Sequence, residues 1–256
     1  MIDSHIHSEF SEDSEMKVQH ALEQSKKNNI GMTFTEHLDL KFSEGTDITF
    51  DIDKYFNDYE KYRSSKIMLG IEVGMQENCL EENREIVKKY LFDYVIGSIH
   101  VAKGEDIYYP KFCEGKTKKE AYEIYFSSMI DCVKQYDYID SLGHIDYISR
   151  YATFEDSEIH YHEFTECING VIKAILQNGK VMEINSRRLA NKEAYNNLID
   201  IYKAYSQMGG KYVTIGSDAH HAEDIGNNFK EAIIICETCN LKPVYFRKRK
   251  IEYMSI

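Results

Sequence analysis

Short apolar runs alternate with longer amphipathic stretches along most of the chain. The apolar runs predict seven strands, at Met1–His7, Gly31–His37, Ile67–Gly74, Tyr94–His100, Ser141–Asp146, Lys180–Ser186 and Tyr212–His220. Apolar residues recur at helical spacing in Met16–Asn29, Asp53–Ser65, Glu81–Leu91, Lys118–Gln135, Tyr161–Gln177 and Lys192–Gln207. Strands that alternate with helices are typical of βαβ units, so the pattern predicts an α/β fold with a parallel sheet.

The regularity of this alternation predicts a single domain over residues 1–256. Seven strand–helix units follow one another without an obvious linker, which favours a closed or nearly closed barrel over two domains. A further helix is predicted near Gly226–Cys239, and the basic tail Phe246–Tyr253 alternates well enough to form a final strand. Two long polar connections, Lys41–Ile52 and Lys103–Thr117, are expected to supply lids or substrate contacts.

The composition restricts the partners that the protein can have. The net charge of -12 would repel a phosphate backbone, so we do not expect a nucleic acid as main partner. We expect no membrane span, because no apolar run approaches the ~20 residues that one needs. The first residues lack the features of a secretory signal and the six cysteines are scattered, which favours reduced thiols in a cytoplasmic protein. Cys236 and Cys239 have C-x-x-C spacing without a second pair, so a packing role in a helix is favoured over a zinc site.

Side chains that can bind metals fall at the ends of the predicted strands. In a parallel barrel these ends converge on one face, where active sites are built. Residues two apart on a strand point to the same side. His5 with His7, and Asp218 with His220, are therefore each expected to point as a pair into one cavity. The residues concerned are His5, His7, His37, Glu72, His100, His144, Asp218 and His220.

Each of these signals is weak on its own. An isolated His-x-His pair is more often chance than a site, Glu72 alone could contact solvent, and Asp218 alone could cap a helix. Taken together, five or more imidazoles and two carboxylates inside a barrel would carry a large desolvation cost unless metal ions paired them. These ligand types suit zinc, manganese or iron, and their number fits two or three divalent ions. By contrast, His160 and His162 open a predicted helix and are interpreted as surface residues.

Seven short motifs carry these residues: His5-x-His7, Thr-Glu-His37, Gly-Ile-Glu72-Val-Gly, Gly-Ser-Ile-His100, Gly-His144-Ile-Asp, Glu183-Ile-Asn and Gly-Ser-Asp218-Ala-His220. Together they resemble the motifs of the PHP family, named for polymerase and histidinol phosphatase, and in particular those of its histidinol-phosphate phosphatases. The resemblance extends over nearly the whole chain. It implies a distorted (β/α)7 barrel that holds a trinuclear metal centre.

The resemblance also implies how the ligands are shared among the ions. One ion would be bound by His5, His7, Glu72 and Asp218, and a second by Glu72, His100 and His144. The third would be bound by His37, His220 and Asp13, which stands six residues after His7 where several family members have a histidine. Aspartate is a competent ligand, but Asp13 could instead cap the helix predicted to begin near Met16.

Two arginines are expected to bind the phosphate of the substrate. Arg150 lies just beyond the fifth predicted strand and Arg187 just beyond the sixth, at the same end of the barrel. The planar guanidinium suits a phosphate dianion, and the resemblance to histidinol phosphatases implies the same role. Arg188 is expected to face away from Arg187, as an outward surface residue.

The resemblance implies hydrolysis of L-histidinol phosphate, a small-molecule phosphate monoester, in histidine biosynthesis. A metal-activated hydroxide would attack phosphorus while paired ions ~3.5–4 Å apart neutralise the phosphoryl oxygens. Asp218 would be required as a ligand, and Asp13 and His220 are the candidates to protonate the leaving group. Three alternatives stay open: a different phosphate ester, a nuclease-like role, and a non-catalytic scaffold. The acidic chain counts against the nuclease, and the intact ligand set counts against the scaffold.

Overall fold

The computed structural model describes residues 1–42 and 46–254. Three residues of the predicted connection Lys41–Ile52, and the last two of the predicted domain, therefore lie outside the described residues. The strands are β1 (Ile2–Ile6), β2 (Gly31–Leu38), β3 (Ile67–Gly74), β4 (Tyr94–Ser98), β5 (Val101–Ala102), β6 (Glu105–Asp106), β7 (Ser141–Leu142), β8 (Val181–Asn185), β9 (Tyr212–Gly216), β10 (Lys242–Arg247) and β11 (Lys250–Tyr253). The helices are α1 (Val18–Asn28), α2 (Ile52–Tyr59), α3 (Leu80–Lys89), α4 (Lys118–Gln135), α5 (Thr165–Gln177), α6 (Lys192–Gln207) and α7 (Phe229–Thr238).

Seven parallel strands form the barrel, in the order β1-β2-β3-β4-β7-β8-β9. The chain changes partner around the end of β9. The first two residues of β9 pair with β10, whereas the residues just beyond Gly216 bond to β1. There the Asp218 amide donates to the His5 carbonyl over 2.8 Å, and the His7 amide donates to the Ala219 carbonyl over 2.9 Å. These bonds close the C-terminal end of the ring, and the distorted barrel predicted from the sequence is confirmed.

Burial explains why the strands read as continuous apolar runs. All eight residues of β3 are buried, as expected for parallel strands that are covered on both faces. The helices cover the outside, and α4 begins at a capping box formed by Thr117 and Glu120. At the N-terminal end of the barrel, Phe246 of β10 stacks on Tyr94 with ring centroids 5.4 Å apart. The C-terminal end is the one that remains accessible.

Three strands end earlier than the sequence predicted. β4 ends at Ser98, two residues before its predicted end, and β7 and β9 end at Leu142 and Gly216, each four residues before the predicted end. In each case the chain leaves the strand ladder so that a following histidine or aspartate reaches the middle of the barrel. The apolar pattern continues through these turns because they are buried, and periodicity alone therefore overestimates strand length.

The tail forms a hairpin, where the sequence predicted a single strand. The turn residues Lys248 and Arg249 both have positive φ, 51° and 62°, as two-residue hairpin turns require. Arg249 Nε donates to Asp140 Oδ2 over 2.6 Å, which ties the turn to the barrel. All six cysteines are free, and both residues of the C-x-x-C pair are buried against the core, as predicted. Among the described residues, no helix is long and apolar enough to cross a membrane.

Candidate metal centre

The predicted ligands meet at the C-terminal end of the barrel, at the floor and wall of a cleft of about 820 Å³. His5, His37 and Glu72 project from within strands, whereas the remaining ligands lie in the turns just beyond them. Sets of three ligand atoms lie within 4.8 Å of one another in several combinations. Three such sets are His5–His7–Glu72, Glu72–His100–His144 and His7–His37–His220.

The carboxylate of Glu72 lies at the middle of the cluster. Its Oε2 is 3.4 Å from His5 Nε2, 3.5 Å from His7 Nε2 and 2.9 Å from His37 Nδ1. Its Oε1 is 2.9 Å from His144 Nε2 and 3.5 Å from His100 Nε2. The two oxygens thus face different groups of imidazoles, so Glu72 would be available as a ligand to more than one ion.

The imidazoles of the cluster are packed closely against one another. The Nε2 atoms of His5 and His7 are 3.1 Å apart, and the ring of His7 stacks between His37 and His220 at 4.1 and 4.4 Å. Burial lowers the pKa of His7, and the neighbouring His37 and His220 lower it further, so His7 is neutral. A neutral imidazole is the form that binds metals. The donor set therefore fits divalent cations placed between these nitrogens.

Both central carboxylates are ionised despite their burial. Burial raises the pKa of Glu72, but the imidazoles of His5 and His37 hold it well below its ordinary value. Burial likewise raises the pKa of Asp218, and Arg150 and His5 outweigh this effect. A bound cation, held by neutral imidazoles, would supply to Glu72 the positive charge that His5 and His37 supply when they are protonated.

Asp218 reaches the cluster through an unusual backbone conformation. Its φ is 56°, in the left-handed region that non-glycine residues seldom adopt, and functional sites often hold such conformations. The prediction that Asp218 and His220 lie two apart on a strand is wrong, since β9 ends at Gly216, although both side chains line the cleft. Gly216 is needed here because a Cβ at this position would lie 2.3 Å from His5 Cβ.

Asp13 lies at the outer side of the cluster and is 57% exposed. Its Oδ2 is 3.0 Å from His220 Nε2 and 3.5 Å from His37 Nε2. The alternative role as a helix cap is wrong, because α1 begins at Val18 and its N-cap residue is Lys17. Partial burial would raise the pKa of Asp13, but hydrogen bonds from His220 and His37 lower it strongly.

Sequence reasoning missed the carboxylates that orient the histidines. Glu183, 1% exposed, accepts a hydrogen bond from His5 Nδ1 over 2.7 Å and from the His144 amide over 2.8 Å. Asp39 lies 2.8 Å from His100 Nδ1. Partners of this kind fix the tautomer and direction of a ligating imidazole. Glu183 lies in one of the seven motifs and Asp39 follows His37 by two residues, but neither position indicates which histidine the carboxylate contacts.

A second unpredicted network supports His7. Ser11 Oγ lies 3.1 Å from His7 Nδ1 and donates over 2.7 Å to Glu36, which is fully buried. Glu36 also accepts from the amide and hydroxyl of Ser8. The hydroxyl-rich segment after the first histidine pair therefore belongs to the site, because Ser11 links the buried carboxylate of Glu36 to the imidazole of His7.

Arg150 and Arg187 both line the cleft, as predicted. Arg150 Nη1 lies 2.7 Å from Asp218 Oδ2, and its Nη2 donates to Asn185 Oδ1 over 3.1 Å. Arg187 is more exposed and lies 3.5 Å from Asp218 Oδ1. The expectation for Arg188 is wrong in one respect: it points away from the cleft but is largely buried in ion pairs with Asp146 and Glu158. Asp146 and Glu158 thus hold Arg188 in place behind the cleft wall, next to Arg187.

His160 and His162 lie outside this constellation. His162 is exposed, whereas His160 is half-buried between Asp156 and Asn197. The surface interpretation is therefore confirmed for His162 and only partly for His160. Neither residue lines the cleft.

Comparison with known protein families matches the PHP domain over residues 3–187, more than half of the chain. The chain belongs to the PHP domain family. Among relatives of this PHP domain protein, a probable histidinol-phosphatase from Clostridium acetobutylicum is 49% identical over 253 residues, which is 99% of each chain. The histidinol-phosphatase of Lactococcus lactis subsp. lactis is 30% identical over 229 residues, or 87% of this chain and 85% of that protein.

A solved structure shows the same architecture as this PHP domain protein. It is the histidinol phosphate phosphatase from Lactococcus lactis subsp. lactis complexed with zinc, L-histidinol and phosphate. The two structures superpose with a TM-score of 0.93 over 98% of both chains, at 27% sequence identity. The family resemblance and the fold inferred from the strand-end motifs are therefore confirmed.

Proposed function

We propose that the protein is a metal-dependent phosphatase that hydrolyses L-histidinol phosphate to L-histidinol and phosphate. The observation that carries this proposal is the carboxylate of Glu72, surrounded by five imidazoles beneath a cleft that two arginines line. The histidinol-phosphatase relatives over nearly the whole chain support the choice of substrate. The substrate is a small molecule, and the cleft volume of about 820 Å³ is ample for it.

The ligand assignment proposed for the metals follows the first two clusters and departs from the third, where Asp13 takes the place of His7 because its Oδ2 lies 3.0 Å from His220 Nε2 and 3.5 Å from His37 Nε2. The first ion would be held by His5, His7, Glu72 and Asp218, the second by Glu72, His100 and His144, and the third by His37, His220 and Asp13. The zinc in the Lactococcus structure supports zinc here, and manganese and iron suit the same imidazole and carboxylate ligands. When bound, such ions supply a water molecule activated for attack on phosphorus and neutralise the phosphoryl oxygens.

Arg150 and Arg187 are proposed to hold the phosphate group. Arg150 is fixed by Asp218 and Asn185, and it lies over the ring of Tyr147 at 5.4 Å, so its guanidinium is oriented before the substrate arrives. The more exposed Arg187 can follow the phosphate as it enters and leaves. Both guanidinium groups would stabilise negative charge that develops on the phosphoryl oxygens.

The leaving alkoxide of the substrate needs a proton. Asp13 and His220 are hydrogen-bonded to each other at the exposed side of the cluster, where the departing alcohol would meet solvent. Because the same two side chains are proposed as ligands of the third ion, we propose that they deliver the proton through a water molecule that they hold, which gives its proton to the alkoxide and is left as hydroxide. A cytoplasmic location is part of the same proposal, since free cysteines are usual in a reducing compartment.

The test is a phosphate-release assay on L-histidinol phosphate beside p-nitrophenyl phosphate, with metal analysis of the same sample. We expect a much higher kcat/KM for histidinol phosphate, and a loss of activity in Asp218→Asn. Asp200→Asn, an exposed aspartate on α6, is the matched control. Equal activity on both esters would contradict the substrate assignment, and less than one metal per chain would contradict the site.

A further inference from the structure

The β5–β6 hairpin carries a buried carboxylate into the cleft beside the metal ligands. Asp106 is only 8% exposed, yet it lines the cleft. Its Oδ1 accepts a hydrogen bond from the Tyr108 amide over 2.9 Å. Its Oδ2 has no hydrogen-bond partner within residues 1–42 and 46–254. A buried carboxylate oxygen without a partner is costly, so its presence points to a ligand that supplies one.

The hairpin holds this carboxylate in a fixed place. Asp106 pairs in register with Val101, the residue that follows His100, and the Ile107 amide donates to the His100 carbonyl over 3.0 Å. The tip is anchored by Lys103, whose ammonium lies 2.5 Å from Glu77. Asp106 is therefore held directly beside His100, one of the proposed metal ligands.

Aromatic rings line the cleft next to Asp106. The ring of Tyr147 lies 4.8 Å from that of His100 and 5.0 Å from that of Tyr151, and Tyr151 lies 4.9 Å from Tyr108. Tyr108 is half exposed at the mouth of the cleft. An anionic oxygen at the edge of an aromatic wall is suited to a cationic nitrogen that is attached to an apolar or aromatic body.

We infer that Asp106 is a specificity-determining residue, which binds the positively charged nitrogen of the alcohol part of the substrate while the tyrosines pack against its carbon skeleton. This inference rests on the proposed function, because L-histidinol carries both an ammonium group and an imidazole. Either group can supply the N–H donor that Asp106 Oδ2 lacks. The arginines select the phosphate and Asp106 selects the alcohol, so the two ends of the substrate are recognised by groups of opposite charge.

The test compares Asp106→Asn with wild type on histidinol phosphate and on p-nitrophenyl phosphate, which has no cationic group. Loss of a charge-assisted hydrogen bond is expected to lower kcat/KM for histidinol phosphate about 10- to 100-fold, mainly through KM. Activity on p-nitrophenyl phosphate should stay within about twofold, since the phosphate contacts are unchanged. Glu105→Gln is the matched control, because Glu105 is the preceding residue and faces outward to Lys116.

Two phosphate esters identify the nitrogen that is bound. If the ammonium is recognised, an imidazolylpropyl phosphate without an amine will be hydrolysed equally by wild type and by Asp106→Asn. If the imidazolium is recognised, 2-aminopropyl phosphate will show this equality instead. Calorimetric titration of L-histidinol into the metal-loaded protein gives a second measurement without turnover, and its affinity should fall by a similar factor in the variant.

Equal losses on histidinol phosphate and p-nitrophenyl phosphate would overturn the inference, as would a fall in bound metal, because Asp106 would then support the metal centre. An unchanged kcat/KM for histidinol phosphate would also overturn it. If the wild type itself shows no preference for histidinol phosphate, the proposed function fails, and this outcome is distinct from a wild-type preference that Asp106→Asn retains.

Discussion

Replacing Glu183 by glutamine tests whether a carboxylate outside the ligand set controls metal binding. Glu183 uses its two oxygens for different donors: Oε1 accepts from His5 Nδ1 over 2.7 Å, and Oε2 accepts from the His144 amide over 2.8 Å. Oε2 also accepts from Asn185 Nδ2 over 3.2 Å. Glutamine has the same shape but only one oxygen. Whichever way its amide is turned, an NH2 group must face another N–H donor.

The magnitude follows from that mismatch. A buried donor left without an acceptor costs about 1–3 kcal/mol. If the amide oxygen stays with the His144 amide, the NH2 group faces His5 Nδ1, and the ring of His5 loses the acceptor that fixes its tautomer. Loss of such a partner typically reduces metal affinity or activity about 10- to 100-fold. We therefore expect Glu183→Gln to bind its metals about 10- to 100-fold more weakly and to lose activity at limiting metal.

The assay is competition with a chelator, read by metal analysis, together with phosphate release as a function of added metal. Added metal should restore much of the activity of Glu183→Gln, because its ligands are all present. Glu166→Gln, an exposed glutamate on α5, is the control and should behave as wild type. Wild-type metal affinity in Glu183→Gln, combined with a lower melting temperature in the presence of chelator, would refute the reasoning and leave Glu183 with a role in folding alone.

Three further perturbations address other parts of the molecule. Asp13→Ala should lower the metal content by about one ion per chain while the deeper ions remain, since Asp13 contacts only the outer histidines; unchanged stoichiometry by metal analysis would contradict this. Gly216→Ala should abolish metal binding and lower the melting temperature by several degrees, because the added Cβ would lie 2.3 Å from His5 Cβ. Asp156 tests the pH dependence of stability. A hydrogen bond from Lys118 on α4 is the main cause that lowers the pKa of Asp156 from 3.8 to about 2. Because the folded pKa lies below the unfolded one, the contribution is present above pH 4 and lost as the pH falls towards 2. Asp156→Asn should thus slightly lower the stability of the chelated protein at pH 7 and leave it unchanged near pH 2, as read by denaturant unfolding; an equal effect at both pH values would show that the charge is not responsible.

The sequence predicted the barrel well because its signals are local and repeated. Apolar runs in the strands and helical periodicity between them each depend on neighbouring residues, and the bounds of β3, α4 and α6 agree with the predicted ones. The candidate ligands could be found for the same reason, since strand ends in a parallel barrel share one face. The predictions from sequence failed where the backbone leaves regular secondary structure. The left-handed φ of Asp218 and the partner change of β9 depend on contacts with β1, which lies at the opposite end of the chain.

The residues that orient the ligands could not be predicted for a related reason. Glu183 lies 178 residues after the histidine it contacts, and a glutamate within an apolar strand carries no sign of its partner. The role of Asp106 is harder still to predict. It is inferred from a buried oxygen that has no hydrogen-bond partner among the described residues. Such residues become visible only when burial and hydrogen bonding are known together. Composition and spacing report neither.

Burial varies in one direction across the candidate centre, and this gradient bears on how the site works. Glu72 and His5 are fully buried, His220 and His37 are 11% and 15% exposed, and Asp13 is 57% exposed. Cations in the deep part would be enclosed by ligands whose orientation is fixed by buried carboxylates. A cation in the outer part would share its surroundings with solvent and with the phosphate held by the arginines. The deep side chains therefore suit permanent binding, whereas the outer ones lie at the accessible side of the cleft, where the substrate would enter and the alcohol would depart.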